Sequence, residues 1–150
     1  MKRYRWILGC GLMLAAPGFA RAHGAEDVPA GPIRDRMELM EHIGDDAKAI
    51  NEAVKAGKTA DALKPAENIA SIAPKFTGLF PDGSEDPKSR ARPNIWTARD
   101  EFDAFNTYLV EAAQKVADIA REGGDLRPAV KKMFGTCKSC HDKFRIPEED

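Results

Sequence analysis

Three residues near the carboxyl end of the chain can do chemistry together: Cys137, Cys140 and His141, in the run Cys137-Lys138-Ser139-Cys140-His141. C-x-x-C-H is the attachment signature of c-type haem, because two thiols add to the vinyl groups of the porphyrin and the histidine binds the iron. On a helix, Cys140 lies about 60° from Cys137 around the axis, and His141 lies about 40° to the other side. All three side chains therefore face one way, and the motif predicts one covalently bound haem c.

The same residues could serve three other kinds of site. A redox-active C-x-x-C pair is typical of a βαβ context, and this sequence contains no stretch that alternates like a strand. A structural zinc site needs about four ligands, and the only histidines outside the motif are His23 and His42. In an exported protein, the two cysteines could also form a disulfide with each other. The haem interpretation accounts for all three motif residues.

The first 22 residues are predicted to be a cleaved secretory signal. Three basic residues open the chain, an apolar run extends from Trp6 to Ala20, and Ala20-Arg21-Ala22 has the small-x-small pattern of a cleavage site. The apolar run is too short for a good membrane span, so no stable membrane insertion is expected. Export predicts a periplasmic protein, and residues 23–150 form its mature domain.

The charge of the mature domain limits its partners. Residues 23–150 keep 19 of the basic residues and all 24 acidic residues, which gives a formal net charge of −5. This balance argues against nucleic acid as a partner. It fits protein partners that present a basic patch.

The mature chain is predicted to be a single all-α domain, an antiparallel four-helix bundle. Its apolar residues recur at steps of three and four, the spacing of one buried helix face. The first helix carries such a stripe at Ile33, Met37, Met40, Ile43, Ala47, Ile50 and Val54. The predicted helices run from Pro32 to Ala56, from Thr59 or Pro65 to Pro74, from Asn94 to Glu122, and from an N-cap at Asp125 to a point before Pro147. A long connection of loop composition spans residues 77–93.

A second iron ligand must come from upstream, because no methionine follows the motif. Met133 lies on the same helix as the motif, about 12 Å back along the axis, and cannot cross the ring plane. Met13 is removed when the predicted signal is cleaved. Met37 and Met40 remain, both on the buried stripe of the first helix, whereas His42 lies off that stripe and is predicted to be exposed.

At this point the sequence resembles class II cytochrome c, the family that contains cytochrome c′ and its low-spin relatives. These proteins are four-helix bundles with C-x-x-C-H near the carboxyl end. The resemblance covers nearly the whole mature chain. Beyond the motif it rests on Arg145, Arg92-Pro93-Asn94-Ile95-Trp96, Arg36-x-x-x-Met40 followed by Gly44, and Leu79-Phe80-Pro81-Asp82. The chain departs from the family at Arg90, where an Asp near the propionates is sometimes found.

The resemblance implies roles for individual residues. His141 is the proximal iron ligand, and Met40 occupies the position that faces the distal side of the iron. In the low-spin relatives a methionine there binds the iron, so Met40 is the expected distal ligand. In cytochrome c′ a bulky residue there only shields an open iron. Arg36 either contacts a haem propionate, as the corresponding arginine does in the family, or is a solvated charge.

Two functions follow from these alternatives. With Met40 bound, the iron is six-coordinate and the protein is an electron carrier that docks transiently to redox partners. With the sixth position open, the protein binds small gases such as nitric oxide or carbon monoxide. No catalytic residue is expected, because the bundle offers no distal acid or base beyond His42, so the protein is not predicted to be an enzyme. The family often dimerises through its first two helices, which leaves a homodimer as one option.

Overall fold

The computed structural model describes residues 25–147, and these residues form an all-α fold with no β-strand. The predicted signal at residues 1–22, together with Met13 and His23, lies outside the described residues. The helices are α1 Pro32–Ala56, α2 Leu63–Ile72, α3 Asn94–Thr97, α4 Arg99–Glu122 and α5 Arg127–Phe144. The four longer helices form the bundle, and α3 is a single turn. The predicted four-helix bundle is confirmed.

The core of the bundle is built by one face of each long helix. Ile50 of α1, Ile69 of α2, Val116 of α4 and Met133 of α5 are all fully buried in one continuous apolar cluster. Burying such a side chain stabilises the fold by about 1.5–3 kcal/mol. Within residues 25–147, no helix is both long enough and apolar enough to cross a membrane.

The bounds of α1 agree with those predicted from its sequence. Pro32 is its first residue, where the missing N–H costs nothing. Gly57 ends the helix with φ 67°, and its N–H donates to the carbonyls of Ala53 and Val54. That left-handed conformation favours glycine, which explains why the helix stops there.

The second helix begins at Leu63, between its two predicted starts at Thr59 and Pro65. Thr59–Ala62 forms a 3-10 turn that leads directly into α2 at Leu63. Pro65 is the third residue of α2, and the N–H groups of a first turn have no partner within the helix. The proline therefore disrupts no hydrogen bond of α2.

The prediction of one continuous third helix from Asn94 to Glu122 is wrong at Ala98. The backbone leaves the helical region at Ala98, with φ −120° and ψ 45°, so α3 and α4 are separate helices. Long-range hydrogen bonds fix α3: the Asn94 side chain donates to the Lys143 carbonyl, and the Trp96 indole N–H donates to the Pro81 carbonyl. Tertiary contacts thus override the local helical pattern.

The predicted connection at residues 77–93 packs against the carboxyl end of α5. Arg92 N–H donates to the Phe144 carbonyl, and Ile146 N–H donates to the Arg90 carbonyl. An aromatic cluster forms where this connection meets α3, α4 and α5. Its buried members are Phe80, Ile95, Phe102 and Phe144, and its partly buried members include Phe76, Trp96 and Phe105.

The N-cap of α5 is Leu126, so the predicted N-cap at Asp125 lies one residue too early. The helix begins at Arg127, and the Asp125 carboxylate accepts a hydrogen bond from the Arg127 N–H at 3.1 Å. This satisfies one of the N–H groups that a helix start leaves without an intrahelical partner.

Candidate haem site

Helix α5 carries the whole C-x-x-C-H motif in its last two turns. Cys137, Cys140 and His141 are half-buried, whereas the intervening Lys138 and Ser139 are exposed. The helix thus turns the three chemically competent side chains inward together. They continue the face on which Val130 and Met133 enter the bundle core.

Burial dominates the chemistry of the two thiols. It raises the pKa of the Cys137 thiol, and with the nearby Cys137 it raises the pKa of the Cys140 thiol to about 11. Cys140 also packs against the aromatic cluster. Thiols in this environment are protonated at neutral pH, which is the opposite of an activated redox or catalytic cysteine.

We expect the folded, haem-free protein to resist alkylation at Cys140. A pKa of about 11 leaves roughly one thiol in ten thousand ionised at pH 7, and this fraction rises about tenfold per pH unit toward pH 11. Iodoacetamide labelling followed by mass spectrometry, with and without urea, measures the effect. Labelling at pH 7 should be about three hundredfold slower without urea, since an exposed cysteine has a pKa of about 8.5. Equal rates in the two conditions would contradict the buried environment.

His141 is held in the state that binds metals. Its burial lowers the pKa of the imidazole, and the positive charges of Arg145 and Arg90 lower it further. The imidazole is therefore neutral at pH 7, with a lone pair available to a metal.

The donors of the motif do not converge on a single point. Among residues 25–147, no three His, Cys, Asp or Glu side chains come together in a way that could hold one metal ion. Donors spread along one helix face suit a large planar group instead.

The methionines lie where the sequence pattern places them. Met40 is half-buried on α1 and packs against the edge of the bundle core, and α1 contacts α5. Met37, one turn earlier, is also half-buried. Met133 is fully buried in the core, and His42 is exposed as predicted.

Arg36 is buried, with 2% of its surface exposed, so it is not a solvated charge. One terminal nitrogen donates to Leu79 O and Ser84 Oγ, and the other donates to Ser84 O and Ser89 Oγ. The guanidinium also lies 4.6 Å from the ring centre of Phe80. Burial lowers its pKa, although an arginine so placed remains charged. We call these contacts the Arg36 clamp, which ties α1 to the 79–89 connection.

One donor of Arg36 is left over, and this decides whether a haem fits. The Nε atom is buried and has no hydrogen-bond partner among the described residues. A buried cationic N–H without a partner is costly unless an anion meets it. A propionate is such an anion, and two thiols, a neutral imidazole and apolar surroundings supply the other contacts of a haem c. The residues present therefore fit the group.

Sequence reasoning did not find the serines of the Arg36 clamp. Ser84 and Ser89 lie in a segment of loop composition, where a hydroxyl gives no local signal of a buried partner. A signal for the arginine itself was available. Arg36 follows Ile33 by three residues and precedes Met40 by four, so it shares their helix face.

Comparison with known proteins agrees with this geometry. The family model described as Cytochrome C′ matches residues 31–145. The chain belongs to the cytochrome c′ family. A cytochrome c′ of Cereibacter sphaeroides is 42% identical over 150 residues, covering 95% of this chain and 98% of the relative.

Two solved structures of the family share the fold. Cytochrome c′ of Rhodopseudomonas palustris is 28% identical with a TM-score of 0.71, covering 81% of this chain and all of the other. A nitric oxide complex of a cytochrome c prime variant from Alcaligenes xylosoxidans is 22% identical with a TM-score of 0.70, covering 87% and 99%. As a member of the cytochrome c′ family, the protein carries one covalent haem c per chain.

Proposed function

We propose that this cytochrome c′ family protein binds a small diatomic gas, such as nitric oxide or carbon monoxide, at its haem. The observation that carries the proposal is the family membership, since the matched relatives are mostly cytochromes c′ and one solved member is a nitric oxide complex. When bound, the haem supplies an iron that can take a gas at its sixth position and can exchange single electrons.

The chain's own residues prepare this site from three directions. Cys137 and Cys140 would hold the haem through two thioethers, and the neutral imidazole of His141 would bind its iron. Met40 lies on the neighbouring helix and takes the distal position in the family pattern. Its flexible, apolar side chain shields that side from water and controls which molecules enter.

Arg36 is proposed to meet one propionate through its Nε atom alone. Its four terminal N–H groups already donate hydrogen bonds to Leu79, Ser84 and Ser89. A single charge-assisted bond would satisfy the remaining buried donor and offset the buried positive charge.

A second candidate function is electron transfer with Met40 as the distal iron ligand. The observation that favours it is the residue type, because Met40 places a thioether sulfur on the α1 face that packs beside α5. A thioether ligand raises the reduction potential and leaves no open position for a gas. The two functions thus differ in whether this sulfur binds the iron.

Optical spectra of the haem-loaded protein, with a Met40→Ala variant, test the proposal. We expect high-spin spectra that change when carbon monoxide is added to the reduced protein. We also expect Met40→Ala to speed carbon monoxide binding by about tenfold, equivalent to ~1.4 kcal/mol of barrier, because the gate is removed. Met37→Ala is the matched control, since it truncates a half-buried methionine one turn earlier and should change the rate little.

The opposite outcome would support electron transfer, the second candidate function. Low-spin spectra with a sulfur-to-iron charge-transfer band, and no response to carbon monoxide, would show that the distal position is closed. If Met40→Ala then abolished that band and Met37→Ala did not, Met40 would be the ligand and electron transfer would replace gas binding.

The proposed location is the periplasm. It rests on the predicted cleaved signal at residues 1–22, which is followed by a c-type haem motif. Export also fits a chain whose mature part keeps only the two motif cysteines.

A further inference from the structure

The charges of the bundle are unevenly distributed among its helices. Helix α5 has five basic residues and one acidic residue. Helix α1 has four basic and six acidic residues, and α4 has three basic and six acidic residues. The helix that holds the haem is therefore the basic element of a domain whose overall charge is negative.

The basic residues of α5 line up around one exposed aromatic side chain. Arg127, Lys131, Phe134 and Lys138 follow at steps of four, three and four, so they form one strip along the helix. The strip is about 16 Å long. All four residues are exposed, and Phe134 is 37% exposed. We call this strip the α5 ridge.

The α5 ridge ends beside the proximal ligand. His141 follows Lys138 by three residues, about 60° around the helix toward the half-buried face of the motif. Arg90 and Arg145 lie close enough to His141 to act on its charge state. Positive charge thus extends from the middle of α5 to the surroundings of the haem ligand.

Two carboxylates lie near the ridge and offset part of its positive charge. Asp125 pairs with Arg127, and Asp142 pairs with Lys138. All four side chains are more than half exposed, and exposed ion pairs of this kind are weak and screened by salt. Lys131 makes no ion pair with any other residue that the structure describes, so its charge faces solvent uncompensated.

We propose that the α5 ridge is the docking surface for a redox partner protein that presents acidic side chains around an apolar spot. The argument is charge complementarity at the haem-bearing helix, with Phe134 as the apolar centre of a polar rim. The proposal rests on the covalent haem of the proposed function, but not on gas binding, because the iron must be reduced in either case. It reverses the expectation from net charge, which indicates a basic partner.

An acidic protein explains the ridge better than an anionic membrane does. Binding to a membrane surface needs a broad apolar face beside the cations, whereas the ridge exposes one aromatic ring. The negative net charges of α1 and α4 would also be repelled by an anionic bilayer. A protein partner is small enough to meet α5 without approaching the acidic helices.

The test uses the haem-loaded, oxidised protein and a reduced plant-type ferredoxin of net negative charge as the probe. Stopped-flow absorbance gives the second-order rate of haem reduction at several ionic strengths. We expect this rate to fall as salt rises, and the double variant Lys131→Glu, Lys138→Glu to lower it about tenfold at low salt. Lys131→Gln with Lys138→Gln, which only neutralises the charges, should give a smaller decrease.

A matched control separates the ridge from net charge. Lys55 and Lys115 are exposed lysines on other helices, α1 and α4. The double variant Lys55→Glu, Lys115→Glu changes the net charge by the same amount and should leave the rate within about twofold. Phe134→Ser should weaken the complex without changing the salt dependence, and NMR shifts induced by the ferredoxin should concentrate on α5 amides.

Each opposite result overturns the proposal. A ridge variant that is reduced as fast as the unaltered protein, or a control variant that slows equally, removes the ridge as a docking surface. Loss of binding to phosphatidylcholine and phosphatidylglycerol vesicles on ridge reversal, with reduction unchanged, would make the ridge a membrane-binding surface instead. Failure of gas binding is read separately, from the carbon monoxide spectra.

Discussion

Replacing Cys137 and Cys140 together with serine should yield a protein from which acidified organic solvent extracts the haem, whereas the unaltered chain should retain it. Two thioethers hold the group covalently, and serine hydroxyls do not add to vinyl groups under these conditions. Without the bonds, the haem depends on His141 and apolar contacts, and its retention becomes a binding equilibrium. The measurement is the mass of the intact chain before and after extraction.

The single variants and a neighbouring control sharpen this result. Cys140→Ser and Cys137→Ser should each keep the haem through the one remaining thioether. Ser139→Ala lies between the cysteines on the exposed side of α5 and should keep it fully. If the double variant still carried haem mass after extraction, a residue outside the motif would have to hold the group.

The haem site could be predicted from sequence because its signals are local. Cys137, Cys140 and His141 lie within five consecutive residues, so their relative directions follow from helix geometry alone. The bounds of α1 are local too, since Pro32 and Gly57 carry their own backbone preferences. Such features need no knowledge of the rest of the fold.

The features that sequence reasoning missed depend on distant partners. The break at Ala98 has no glycine or proline to announce it, and it arises where α3 is tied to the Pro81 and Lys143 carbonyls. The serines of the Arg36 clamp are 48 and 53 residues away from Arg36. No periodicity links residues so far apart.

Net charge was informative about the whole chain but not about its faces. A sum over the mature domain gives a negative protein, and this favours basic partners. The fold separates the charges, because α5 has a basic exposed side while α1 and α4 have an acidic excess. Docking depends on the local field near the contact, since charges beyond about 10 Å are screened at ordinary salt.

Replacing Arg36 with methionine should destabilise the protein by about 3–5 kcal/mol, because it removes every donor of a buried network at once. Methionine can replace the aliphatic stem of the arginine, but it donates no hydrogen bond. The carbonyls of Leu79 and Ser84 and the hydroxyls of Ser84 and Ser89 would then lose their donor. Urea unfolding followed by circular dichroism measures the change in the free energy of unfolding.

Arg34→Met is the matched control for this prediction. Arg34 lies two residues earlier on α1, its side chain is 37% exposed, and among residues 25–147 it forms an ion pair with Glu38 alone. An exposed pair of this kind contributes about 0.3–0.5 kcal/mol, so the control should unfold almost like the unaltered protein. Arg36→Lys should lower the free energy of unfolding by most of the same amount as Arg36→Met. One ammonium cannot reach acceptors that are spread around a planar guanidinium. Equal stability of the Arg34 and Arg36 variants would show that the 79–89 connection is held to α1 by apolar packing rather than by the Arg36 clamp.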